Sequence, residues 1–91
     1  MSELFAFKIL TREQWEQFRV DGVFAGAPVD LADGYIHLSA RDQVTETVTK
    51  HFAGQDNLIL AMIDLIALGE TVKWEPSRGG ALFPHLYRRL L

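Results

Sequence analysis

The chain contains no cysteine, which excludes disulfides, thiolate nucleophiles, zinc ribbons and iron–sulfur ligation together and fits a reducing cytoplasm. Long apolar runs are missing as well. The longest, Leu58 to Ile63, is far below a membrane span, and the opening residues carry no basic leader, so a soluble, unexported, cytoplasmic chain is expected, without membrane contact. Cationic residues are scarce: 9 Lys plus Arg stand against 12 Asp plus Glu, and a formal charge of -3 argues against a protein that coats a duplex by counterion release. RNA is therefore a partner that the net charge does not support. No H-x-x-x-H or H-E-x-x-H spacing occurs, so no metal site is expected, and the absence of G-x-S-x-G disfavours a serine hydrolase.

What the chain does have is enough apolar material for one core. At 91 residues, 48% hydrophobic, it reads as a single globular domain over 1–91 rather than two domains or a disordered segment. Leu4 to Leu10 reads as a buried strand interrupted by one charge, Lys8. Thr11 and Gln14 have capping-box spacing ahead of a helix from Arg12 to Val20 that stops before Gly22. The span from Asp21 to Gly34, dense in glycine, proline and aspartate, reads as an irregular connection.

Tyr35 to Ser39 is expected to be a strand with Ile36 and Leu38 facing the core and Tyr35, His37 and Ser39 facing a cleft. Ser39, with Asp42 three residues on, then serves as N-cap of a three-turn helix whose stripe is Val44, Val48 and Phe52. Leu58 to Asp64 is apolar throughout, the pattern of a central strand covered on both faces. A turn at Leu68 to Glu70, a strand over Thr71 to Glu75, a flexible loop over Pro76 to Gly80 and an extended stretch from Ala81 to Tyr87 complete the order. The expected fold is a small α+β domain with two main helices on a mixed or antiparallel sheet.

The chemical candidates are few. His37, set between Ile36 and Leu38 and just before a helix start, is either a contact for an anionic ligand or a structural imidazole bonded to a loop carbonyl. Ser39 shares that place, or is simply the cap. Ser77-Arg78-Gly79-Gly80 suits close approach of backbone amides to a phosphate with the guanidinium beside it, and is also ordinary turn chemistry. Glu75 is placed to orient a hydroxyl or act as a general base, or is a solvated edge carboxylate. His85 either enters the same cleft or caps a sheet edge, and His51 lies off the apolar stripe as a surface histidine. A cleft lined by Lys8, Tyr35, His37, Ser39, Glu75, Arg78 and His85 is expected if these separated segments converge.

The stretches FAFKILTREQW, DGYIHLSARDQVTET and WEPSRGGALFPHLY together resemble the bacterial family called domain of unknown function 952, over nearly the whole chain. A more distant likeness links the strand, helix, Ile36-His37-Leu38-Ser39 junction and late Ser-x-Gly loop to the ADP-ribosyltransferase-like domain of RNA 2′-phosphotransferases. That likeness implies a split, largely antiparallel sheet around an NAD-binding cleft, with His37 and Lys8 holding the nucleotide and Glu75 a ribose hydroxyl. Arg78 with Gly79 and Gly80 would meet its phosphates, and Tyr35, Ser39 and His85 would line the binding site. The sequence departs from the pattern in three places. Lys8 stands where the superfamily has a ribose-contacting histidine, Tyr35 stands near His37 where the phosphotransferases place an arginine, and Arg88-Arg89-Leu90-Leu91 ends the chain where relatives continue into another strand. The sheet is therefore expected to be smaller or to lack a C-terminal strand. Three readings follow: transfer of ADP-ribose from NAD, as substrate and not as a tightly bound cofactor, to a phosphate or other acceptor; binding of a nucleotide or other phosphorylated small molecule without turnover; and a protein interaction domain. The sequence leaves the oligomeric state open.

Overall fold

The computed structural model describes residues 4–77 and 80–91. Among the described residues, five strands and four α-helices form an α+β domain with two antiparallel sheets: one of order β1-β3 and one of order β2-β5-β4. β1 (Phe5–Leu10) alternates, so that Ala6, Lys8 and Leu10 turn inward and are buried. α1 (Arg12–Asp21) starts as the capping box requires, with the Gln14 N–H donating to Thr11 Oγ1 at 3.1 Å and the Thr11 N–H donating to Gln14 Oε1 at 2.9 Å. It stops where Gly22 takes φ 72°. Trp15 and Phe18 lay its apolar side against the core.

The span read as an irregular connection contains a helix, α2 (Pro28–Asp33). Its signals were in the sequence: Pro28 presets the first helical φ, the Asp30 carboxylate accepts the Ala27 N–H at 2.8 Å, and Gly34 closes the turn at φ 88°. Gly26, just before the helix, sits at φ 134°, and a Cβ there would lie 2.9 Å from the Asp30 Cβ. Gly26→Ala is expected to cost roughly 1–3 kcal/mol in urea unfolding, because the conformation excludes L-residues and the neighbour is held on all sides. Wild-type stability in that variant would contradict this account.

β2 is only Ile36–His37, and it pairs with β5 (Leu82–Leu86) through Ile36↔Leu86 and His37↔His85. The chain then changes sheets. The Leu38 N–H donates to the Pro84 carbonyl at 3.0 Å, while Phe7 and Ser39 exchange two hydrogen bonds of 2.8 Å with each other. The segment 36–39 is thus the seam between the two sheets, and it is where the sheet splits. Ile36 and Leu38 point into the core as their alternation predicts.

Ser39 does not cap the next helix. The cap lies one residue later, where the Ala40 N–H donates to Gln43 Oε1 at 2.9 Å and a 3₁₀ turn (Arg41–Gln43) leads into α3 (Val44–His51). Glutamine, not Asp42, makes the reciprocal bond because its longer side chain reaches back. Val44, Val48 and Phe52 are half-buried.

β3 (Ile59–Asp64) is not a central strand. Paired only with β1 among the described residues, it turns Ile59, Ala61 and Ile63 inward and leaves Leu60 and Met62 exposed at 52% and 64%. An unbroken apolar run does not encode which face of the strand is covered. The central strand is β5 instead, flanked by β2 and by β4 (Val72–Pro76). The expected turn near Gly69 is a short helix, α4 (Leu65–Leu68), followed by a 3₁₀ turn (Gly69–Thr71). Asp64 Oδ1 caps α4 by accepting the N–H groups of Ile66 and Ala67. The chain end is tied in: Phe24 and Leu90 exchange two hydrogen bonds of 2.9 Å, and both are core residues.

Candidate functional site

A cleft of about 690 Å³ opens at the split between the sheets, walled by β1, the start of α2, the 35–39 seam, α3 and the β5 residues Phe83 and His85. That is within the size range of small-molecule sites. Two carboxylate-bound histidines stand on it, and each is held differently.

The first depends on Asp30, which is 1% exposed. Its Oδ1 accepts from the Lys8 ammonium at 3.2 Å, the His37 backbone N–H at 3.1 Å and His37 Nδ1 at 2.6 Å. Its Oδ2 accepts from Ala27 N–H at 2.8 Å and lies 2.9 Å from Lys8 Nζ. Lys8 also donates to the His37 carbonyl at 3.1 Å, and His37 Nε2 meets Asp33 Oδ2 at 2.9 Å. Burial alone would raise the Asp30 carboxyl, yet the Lys8 charge and the bonds from His37 and Ala27 together hold it below its ordinary value. For Lys8 burial prevails, and its ammonium is pulled down despite the charge and hydrogen bond of Asp30. Asp30 was missed in the sequence, where it counted only as a turn former. Its place at the third helical position after Pro28 was the available signal.

The second histidine is His85, 2% exposed. Its Nδ1 lies 2.8 Å from Glu75 Oε1, which also accepts the Tyr87 hydroxyl at 2.6 Å. Hydrogen bonds from Tyr87 and then His85 hold the Glu75 carboxyl below the usual carboxylate value. The same bond to the carboxylate pushes the Tyr87 hydroxyl up to about 12. Tyr35 stacks on the His85 ring at 4.1 Å and 25°, and lies 4.7 Å from His37 and 5.3 Å from Tyr87, so four rings form a continuous wall.

The fold therefore brings Lys8, Tyr35, His37, Ser39 and His85 to one cleft, with Ser77 at its edge. Glu75 stands behind His85 and reaches the cleft through that ring. Arg78 and Gly79 lie outside the described residues. Gly80, at φ 82°, closes a turn by donating to the Ser77 carbonyl at 2.9 Å. Lys8 is engaged with Asp30, and His37 with Asp30 and Asp33. Ser39 Oγ pairs with Thr47 Oγ1 at 3.1 Å. His51, read as a surface residue, is exposed and also lines the cleft rim. Among the described residues, no three His, Asp or Glu side chains converge as a metal would require. No helix among them is long and apolar enough to cross a membrane.

An α+β domain with a split antiparallel sheet and a histidine-lined cleft is the class that fold and site define. The model of a family described as protein of unknown function (DUF952) matches residues 9–91, and the chain belongs to that family. The chain is similar to protein CC0527 from Caulobacter crescentus. Against its crystal structure the identity is 55%, covering 96% of this chain and 76% of that one, with a TM-score of 0.91. Against its solution NMR structure the identity is again 55%, covering 96% and 75%, with a TM-score of 0.85. Comparison with the curated proteins gives no match.

Proposed function

We propose that this chain is an ADP-ribosyltransferase-type domain that takes NAD into the cleft and transfers its ADP-ribose. The observation that carries this reading is the ring wall of Tyr35, His85 and His37, set along a cleft at the split of an antiparallel sheet. A flat heteroaromatic ring packs on such a wall with gains beyond simple area burial. Polar groups of Thr11, Gln14, Thr47 and Gln55 around the same cleft suit the hydroxyls of a ribose.

One observation favours binding without turnover. Lys8 stands at the first-strand position where the resemblance implies a ribose-contacting histidine, and its ammonium is bonded to Asp30 and to the His37 carbonyl instead.

NAD at about 100 times its dissociation constant is expected to stabilise the fold by roughly 2.7 kcal/mol, a rise of several degrees in melting temperature for a domain of this size. Tyr35→Ala should remove most of that rise. It is a better test than His37→Ala, which would take the imidazole away from Asp30 and Asp33. Nicotinamide release distinguishes transfer from binding alone. If neither NAD nor ADP-ribose at millimolar concentration moves the melting temperature, the nucleotide reading fails and an interaction domain takes its place.

A further inference from the structure

Resting on the NAD reading, we infer that His85, oriented by Glu75, is the base that takes the proton of a neutral hydroxyl acceptor, so that ADP-ribose passes to an alcohol or water and not to a phosphate. Three observations lead there. Glu75 accepts both the Tyr87 hydroxyl and His85 Nδ1 on one oxygen, which requires the imidazole to donate from Nδ1. In the neutral ring the lone pair is then on Nε2. That atom is buried and has no hydrogen-bond partner among the described residues. A buried nitrogen left unpaired costs about 1–3 kcal/mol, and a cleft wall is where such a cost has a use.

The third observation concerns charge. Among the described residues of the cleft, Lys8 is paired with Asp30, His37 sits between Asp30 and Asp33, and no arginine is present. A phosphate acceptor finds no unpaired Lys or Arg among them, and an anionic phosphate oxygen needs no base to make it nucleophilic. An alcohol or water does need one.

The step balances. The acceptor O–H gives its proton to His85 Nε2 as its oxygen electron pair forms the bond to C1′ of the nicotinamide ribose. The C1′–N bond breaks with its pair passing to the ring nitrogen, and neutral nicotinamide leaves. Glu75 stays ionised and stabilises the imidazolium that forms, as a positioning residue. Tyr35, half-exposed, stacks on the face of the His85 ring and leaves its plane, in which the Nε2 lone pair lies, to the acceptor. The charged and titratable groups around His85 are Glu75, Tyr87, Tyr35 and His37, with Lys73 opposite it on β4.

Two measurements test this. In the wild-type chain with ¹⁵N-labelled histidine, NMR at pH 7–8 should show His85 protonated at Nδ1 and bare at Nε2. A protonated Nε2 there overturns the inference without touching NAD binding. Nicotinamide release is then followed in water, with glycerol and with inorganic phosphate. Release should continue in water, be captured by glycerol, and gain nothing from phosphate. His85→Gln should lower the release rate at saturating NAD about 10²–10⁴-fold, beyond any loss of NAD affinity from the changed ring. Glu75→Gln, at a half-exposed position that does not threaten folding, should lower the rate and displace the acid limb of its pH profile, with KM for NAD unchanged. Release dependent on phosphate, or full rates in either variant, overturns this inference alone, whereas NAD binding without release, or no NAD binding at all, removes the transfer reading beneath it as well.

Discussion

Asp30→Ala is expected to cost about 3–5 kcal/mol of unfolding free energy, the penalty for removing one partner of a buried ion pair. In a domain of this size that is a fall on the order of 20 °C in melting temperature. The mechanism is that Lys8, 6% exposed, would be left buried without its counter-charge, and the Ala27 and His37 N–H groups would lose their acceptor. Lys8→Met should cost less than Asp30→Ala, since it leaves those two amides paired. Changing both residues to apolar ones should be milder than the sum of the single changes, because burial outweighs attraction for the Lys8 ammonium. An additive double variant would show that the pair does not couple.

The same carboxylate sets a pH dependence. The Asp30 carboxyl in the folded chain lies below its ordinary value of 3.8. A group with a depressed folded value contributes stability that is fully present above the unfolded value and is lost as pH falls through the folded one. Stability should therefore decline below about pH 4, and Asp30→Asn should flatten that acid limb while lowering the plateau above it. Urea midpoints at pH 3, 5 and 7 measure both effects, and an unchanged acid limb in the variant would assign the loss to other carboxylates.

Leu86→Ala is the second large effect, at roughly 2–5 kcal/mol. Leu86 is fully buried and pairs with Ile36 on one side and with Val72 on the other. It therefore packs the joint of the three-stranded sheet into the same cluster as Ala6 and Leu10 of the other sheet. The cavity left between two sheets that meet through a short seam has little backbone freedom to collapse, which places the cost toward the upper part of that range. Leu60→Ala, on the bare face of β3, should cost well under 1 kcal/mol, and equal losses at the two sites would contradict the assignment of β5 as the central strand.

The elements legible in the sequence were those fixed by neighbours a few residues away. The capping box of Thr11 and Gln14, the stop at Gly22 and the inward alternation of Ile36 and Leu38 are of that kind, since short-range hydrogen bonds and the strand period determine them. So was the family, whose model matches residues 9–91. The face left bare on β3 could not be read, because coverage depends on whether another strand or helix arrives, and a uniform apolar run carries no trace of that.

The site divides in the same way. Lys8, Tyr35, His37, Ser39 and His85 were recognisable as polar residues in apolar or strand settings, and the split of the sheet brings them to one cleft. Which of them is available to a ligand was decided only in three dimensions. Asp30 lies 22 residues from Lys8 and 7 from His37, and only the packing of α2 against β1 and β2 lets one carboxylate engage both. Glu75 and His85, 10 residues apart, meet only because β4 and β5 pair antiparallel. Sequence determined which polar groups the chain carries; tertiary structure decided which of them neutralise one another and which nitrogen is left without a hydrogen-bond partner among the described residues, because charge pairing at these separations is a property of distance in space and not along the chain.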